Sequence, residues 1–217
     1  MNRITGNTGW LKDAALVILC AGRGKRMGGN EQKVLLDING IPIFQHVVNF
    51  WQPYIKDIVF VVGYRAPEVE ESIFHLANKG CIRVVVQKEQ IGIADAIYQA
   101  RNHVSEKFVV ALGDCLNIGT FEIPDNMQSG YALWRGDYHE QLALCCSAWC
   151  ENGTIVRIVE KGRAPFVGIG TYFFEDKVFD YIRRTKPSAY RNEVEITQVL
   201  QNMIDYGERL SPVYFKG

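Results

Sequence analysis

The sequence predicts an α/β chain: a mostly parallel sheet flanked by helices. Three observations predict it. Short apolar, β-branched runs alternate with helical patterns through the first half. Glycines stand at or beside the ends of those runs. The chain has 217 residues and is 47% apolar, enough for one full core.

The elements follow in order. Met1 to Asp13 is polar with little charge. Ala14–Cys20 is apolar and reads as a buried strand. A signal-peptide core is the poorer reading, because glycines follow without a cleavage-type small-residue site. Further strands are expected at Asp57–Val62, Ile82–Gln87 and Phe108–Leu112, with helices at Ile43–Trp51, Pro67–Ala77 and Ile93–His103. Gly63, Gly92 and Gly113 fall at or near strand ends, where open parallel sheets bind ligands. The loop after Cys20, Gln87 and Asp114 should therefore share one rim. The second half reads as strands Tyr131–Arg135, Gln141–Trp149, Thr154–Glu160 and Phe166–Phe174, with Glu151-Asn152-Gly153 as a hairpin turn. Helices Lys177–Arg184 and Val194–Tyr206 follow, then a strand at Val213–Lys216. No linker, repeat or low-complexity run divides the chain, so a single domain over 1–217 is expected.

Composition excludes some functions. The 24 basic and 24 acidic residues balance, which argues against a nucleic-acid partner. No stretch is long and apolar enough for a bilayer. The six cysteines, Cys20, Cys81, Cys115, Cys145, Cys146 and Cys150, form no C-x-x-C pair, and several lie in apolar runs. A zinc site is not expected, and a reducing, cytoplasmic location is. His46, His75, His103 and His139 are scattered and read as ordinary surface or core residues.

The chemistry concentrates in Leu19-Cys20-Ala21-Gly22-Arg23-Gly24-Lys25-Arg26-Met27-Gly28, with Lys33 seven residues beyond Arg26. Glycine lets backbone N–H groups approach an anion, and Arg23, Lys25, Arg26 and Lys33 add fixed positive charge. A polyphosphate suits such a loop. Two common phosphate motifs fail. Gly22, Gly24 and Gly28 give G-x-G-x-x-x-G, one residue too long for the dinucleotide fingerprint. Gly24-Lys25 is followed by Arg26 rather than Ser or Thr, and Leu19 stands where a Walker glycine belongs.

The loop, with Lys33 downstream, resembles the opening of the sugar-1-phosphate nucleotidylyltransferases, L-A-A-G-x-G-x-R-[LM] and then a lysine. Its short gap to the lysine is similar to that of the uridylyltransferase domain of N-acetylglucosamine-1-phosphate uridylyltransferase. Lys25 replaces a usual Ser or Thr, and Gln32 a usual proline. Gln87-Lys88-Glu89-Gln90-Ile91-Gly92-Ile93-Ala94 resembles the pyrimidine-reading Q-x-x-Q-x-G-x-A of uridylyl and thymidylyl members. Gly113-Asp114 matches the G-D whose aspartate ligates Mg²⁺. Val156 to Lys161 is similar to V-x-x-I-x-E-K, Gly168 to Phe174 to the G-I-Y-F-F strand, and Arg191 to Thr197 to R-G-E-x-E-I-T. In this last motif Asn192 replaces glycine, Gln198 replaces the following aspartate, and either glutamate could instead cap the next helix.

The resemblance implies a Rossmann-like, GT-A-like nucleotidyltransferase fold with a sugar-binding insertion of strands. Residues 1–120 would form the nucleotide-binding half and 121–217 the sugar-phosphate-binding half. It implies nucleotidyl transfer from UTP or dTTP to a sugar 1-phosphate, with Mg²⁺ as cofactor and a homo-oligomer left open. Arg26, Lys33 and Asp114 would be catalytic, Asp114 also holding the metal. Leu19, Ala21, Gly22, Gly24, Gln87 and Gly92 would bind the nucleotide. Glu160, Lys161, Gly168, Gly170 and Glu195 would bind the sugar phosphate. A second metal ligand usual near the family's next residues has no counterpart, so water and phosphate oxygens would complete the metal's shell unless the sequence stops short. Two alternatives stay open: cytidylyl transfer to a phosphate such as phosphocholine, and a silent nucleotide-sugar-binding regulator.

Overall fold

The computed structural model describes residues 3–24, 32–76, 80–135, 145–189 and 192–217. The strands are β1 (Arg3–Gly6), β2 (Ala15–Cys20), β3 (Asp37–Ile38), β4 (Ile41–Pro42), β5 (Asp57–Val62), β6 (Cys81–Val86), β7 (Lys107–Leu112), β8 (Thr120–Ile123), β9 (Ser129–Trp134), β10 (Cys146–Glu151), β11 (Thr154–Glu160), β12 (Phe166–Glu175) and β13 (Leu210–Lys216). The helices are α1 (Ile43–Trp51), α2 (Ala66–Phe74), α3 (Ile93–Gln99), α4 (Val178–Arg184) and α5 (Ile196–Asp205).

One large sheet runs β1-β8-β13-β9-β12-β7-β2-β5-β6, with β10 and β11 attached beside β12. The four strands β7-β2-β5-β6 are parallel, as the alternating first half predicts. Beyond β7 the sheet turns mixed, because β12 runs antiparallel to both β7 and β9. The second half therefore extends the same sheet.

Strand periodicity fixes which helix covers which face. All six residues of β2 are buried. Leu16, Ile18 and Cys20 join Phe44, Val48 and Trp51 of α1 and Val69 and Ile73 of α2 in one core. Ala15, Val17 and Leu19 join Ala94 and Ile97 of α3, Ile182 of α4 and Val199 of α5 in the other. A strand buried on both faces reads as a continuous apolar run, since successive side chains point to opposite sides.

Several boundaries differ from the sequence reading. The expected helix Ile93–His103 ends at Gln99, where the Arg101 guanidinium stacks over Tyr98 and His103 N–H donates to Ala100 O at 2.8 Å in a closing turn. The last strand starts at Leu210, because Leu210 to Val213 pair with β9 as well. Strands β1 and β8 escaped the sequence reading; each has four residues, and they pair only with distant chain. The Asn39-Gly40 turn joining β3 and β4 was also missed, although both residues adopt the left-handed backbone that a tight hairpin needs. Asn152 and Gly153 do likewise in the turn that was read correctly. Residues 141–144 of one expected strand and Ala77 of one expected helix lie outside the described residues.

Candidate active site

The carboxyl ends of β2, β6 and β7 open onto one cleft of about 570 Å³. Leu19, Ala21, Gly22, Gly24, Lys33, Gln87, Gly92 and Asp114 all line it, as the shared-rim expectation requires. Arg23, Gln32, Gln90 and Glu193 line it as well. Lys25, Arg26, Met27 and Gly28 lie outside the described residues.

Lys33 and Asp114 face each other across the cleft. Lys33 Nζ donates to Asp114 Oδ2 at 3.1 Å, and both side chains are 34% exposed. Lys33 opens a 3-10 turn, Lys33–Leu35, while Asp114 follows Gly113 at the end of β7. Gly113 is required by close approach: a Cβ there would lie 2.7 Å from Cys20 Sγ and 2.9 Å from Leu19 O. Gly113 N–H instead donates to Leu19 O at 2.9 Å and draws the loop against β2. Burial, and then the Asp114 charge, raise the Cys115 thiol, which stays protonated beside the carboxylate at neutral pH.

Gln32 holds Lys33 in place from the preceding position. Its Nε2 donates to Cys20 O at 3.1 Å and Tyr64 O at 2.8 Å. These bonds tie the end of β2 to the loop after β5. Its backbone φ of −76° lies in the range proline imposes, so the amide replaces a ring as the restraint.

Gln87 is buried at 3% exposure. Its Nε2 donates to Gly92 O at 3.2 Å and to Asp95 Oδ2 at 2.7 Å. Gly92 caps α3 with φ of +113°, and a Cβ there would sit 3.0 Å from Val194 O. Glycine alone meets both conditions readily. Gln90 accepts from Arg23 Nε at 3.0 Å, and the Arg23 guanidinium lies 5.6 Å from the Tyr64 ring centre.

The residues expected to meet the sugar phosphate divide. Glu160, Lys161 and Glu195 line a second cavity of about 1060 Å³ between the end of β11, the end of α4 and α5. Glu195 is also the N-cap residue of α5 and accepts from Ser188 Oγ at 3.5 Å. Glu193 lines the first cleft, so the segment 193–195 stands between the two spaces. Gly168 packs under the Tyr131 hydroxyl, and a Cβ at Gly170 would meet Leu112, a cleft residue. Tyr131 and Tyr172 stack at 4.7 Å beneath this region. Burial raises both phenols, and Cys146 beside them is pushed up to about 12, so the buried cluster is neutral.

Glu193, Gln90 and Asp95 were not singled out as site residues. Gln90 and Glu193 lay within motifs already quoted. Asp95 carried no signal beyond its position one turn before Gln99.

A metal is implied by the family resemblance. Among the described residues no group of three or more His, Cys, Asp or Glu gathers. The single cleft carboxylate of Asp114 fits Mg²⁺ that arrives with phosphate ligands, because this ion commonly takes one or two carboxylates and otherwise water and phosphate oxygens.

Residues 16–120 match the MobA-like NTP transferase domain. The chain is 30% identical over 87% of its length to the bifunctional protein GlmU of Methanococcus aeolicus, of which it covers 46%. It is 25% identical to the UTP–glucose-1-phosphate uridylyltransferase AglF of Haloferax volcanii, over 93% of this chain and 88% of that one. A solved UDP-glucose pyrophosphorylase complexed with UDP-glucose shares the fold at TM-score 0.79 and 23% identity, covering 94% of this chain and 90% of that one. An inositol-1-phosphate CTP transferase from T. maritima shares it at TM-score 0.76 and 19% identity, covering 92% and 84%. The chain is thus similar to nucleotidylyltransferases that act on sugar 1-phosphates and shares the α/β fold of the solved structures. It spans about half the length of the GlmU proteins it matches.

Proposed function

We propose that this chain transfers a uridylyl or thymidylyl group from UTP or dTTP to a sugar 1-phosphate, releasing pyrophosphate. The observation that supports the reading is one cleft holding a lysine–carboxylate pair at 3.1 Å and the buried Gln87.

In the reaction a sugar-phosphate oxygen attacks the α-phosphorus in line. A new P–O bond forms as the bond to the β-phosphate oxygen breaks, and pyrophosphate carries away the electron pair. The nucleophile is already ionised at neutral pH, so no strong base is needed. The difficulty is charge. Two unit charges about 4 Å apart repel by about 4 kcal/mol at an effective dielectric near 20. Catalysis then consists of positioning and neutralisation.

Lys33 bridges the α-phosphate and the incoming phosphate. Backbone N–H groups of Gly22 and Gly24 cradle the triphosphate, and Arg26 holds the departing phosphates by family resemblance. Asp114 would hold Mg²⁺, which supplies positive charge to phosphate oxygens when bound. Glu160, Lys161 and Glu195 would receive the sugar phosphate, with Gly168 and Gly170 shaping the wall. The same reading treats the chain as one cytoplasmic domain with a nucleotide half and a sugar half.

Lys33→Ala and Asp114→Ala test it, since both side chains are surface-accessible and dispensable for the core. Each should lower turnover about 10²–10³-fold while the fold persists by circular dichroism. Near-normal product formation by either variant would remove the mechanism. Tight nucleotide-sugar binding with no turnover in the unmodified chain would favour the silent regulator.

A further inference from the structure

We infer that Asp95 is a specificity-determining residue: it fixes the Gln87 amide so that the cleft accepts bases with an N3–H donor, uracil or thymine, and rejects cytosine. The inference rests on the proposed nucleotidyl-transfer reading of this cleft.

The argument is one of donors and acceptors. A glutamine amide can turn over, exchanging its oxygen and nitrogen with little change in shape. At Gln87 it cannot do so freely. The nitrogen faces Gly92 O at 3.2 Å and Asp95 Oδ2 at 2.7 Å. Both are acceptors, and an ionised carboxylate is an acceptor only. Turning the amide would place its oxygen against both of them. Gly92 O alone is a longer contact, so the carboxylate is the stronger of the two restraints.

Asp95 is itself held. Its Oδ1 accepts from Gln99 Nε2 at 3.0 Å, one turn further along α3. The chain Gln99–Asp95–Gln87 therefore runs from a helix into the cleft with each donor assigned. Both amide hydrogens of Gln87 are used, and no hydrogen bond from the described residues occupies its Oε1. Gln87 lines the cleft, and its oxygen is what it has left to offer a ligand.

An acceptor at that point suits an imide. Uracil and thymine carry N3–H between two carbonyls, whereas cytosine N3 is a bare acceptor. Cytosine would leave two acceptors facing one another in a buried place, and a site built around a hydrogen bond rejects partners that cannot complete it.

The test measures dissociation constants of UTP and CTP with Mg²⁺ by calorimetry, for the full chain and for Asp95→Asn and Asp95→Leu. Asp95 is only partly buried, and melting curves check that both variants fold. The unmodified chain should bind UTP at least about tenfold more tightly than CTP. The ratio should fall in Asp95→Asn, which keeps one acceptor oxygen, and fall further, by about tenfold, in Asp95→Leu. A merely structural role would weaken both nucleotides equally and leave the ratio unchanged; that result overturns the inference while sparing the wider reading. Binding of neither nucleotide by the unmodified chain would overturn both.

Discussion

Gln32 shows how one side chain can stand in for a backbone constraint. The family motif that this loop resembles has proline before the lysine. Here an amide donates to Cys20 O and Tyr64 O instead, at a backbone angle proline would also accept. Gln32→Ala should cost about 1–3 kcal/mol in denaturant unfolding, because one buried and one half-buried carbonyl lose a donor. Gln32→Pro should cost less than the alanine variant, since the ring restores the φ restraint. Equal losses would show that the hydrogen bonds alone matter. At this scale the sequence revealed residue types better than residue partners. Asp114 was legible because Gly113 marks the strand end beside it, Lys33 from the basic loop it follows, and Gln87 from the motif it resembles. The bonds from Gln32 to Tyr64 and from Gln87 to Asp95 were not, since either amide could have pointed several ways until the surrounding acceptors were placed.

Between elements, the second half is fastened by charge as well as by packing. Lys177, at the start of α4, donates to Glu208 at 2.6 Å and lies 3.2 Å from Glu175 at the end of β12. The bond from Lys177, and then that from Tyr181, hold the Glu208 carboxyl below its ordinary value against the opposing effect of burial. Burial works to lower Lys177, but Glu208 and Glu175 together raise it. A depressed carboxylate stabilises the fold above its unfolded value, 4.5, and loses that contribution as pH falls through the lowered one. Glu208→Gln should therefore lose less stability on acidification than the unmodified chain, by about 0.5–1 kcal/mol for so accessible a pair. Parallel acid-unfolding curves would exclude the clamp. The helices and strands around this clamp were legible from apolar periodicity. Strands β1 and β8 were not, because four-residue segments become strands only through distant partners, β8 in the first case and both β1 and β13 in the second.

The whole molecule sets a cleft at the carboxyl ends of its parallel strands and a second polar cavity on either side of residues 193–195. Alternation of strands and helices predicted the parallel half. It could not predict that β12 would join β7 antiparallel and continue the sheet, since that pairing depends on long-range register. The arrangement brings Gly22, Gly24, Lys33 and Asp114 to the rim that the parallel strands define and leaves Glu160, Lys161 and Glu195 across the dividing segment. The most direct test of the account is a transfer assay. The chain is incubated with Mg²⁺, each of the common nucleoside triphosphates and a mixed pool of sugar 1-phosphates, and the products are read by mass spectrometry. A nucleotide-sugar formed from UTP or dTTP in one-to-one yield with pyrophosphate is the predicted result. No product from either triphosphate with any sugar phosphate in the pool would contradict it.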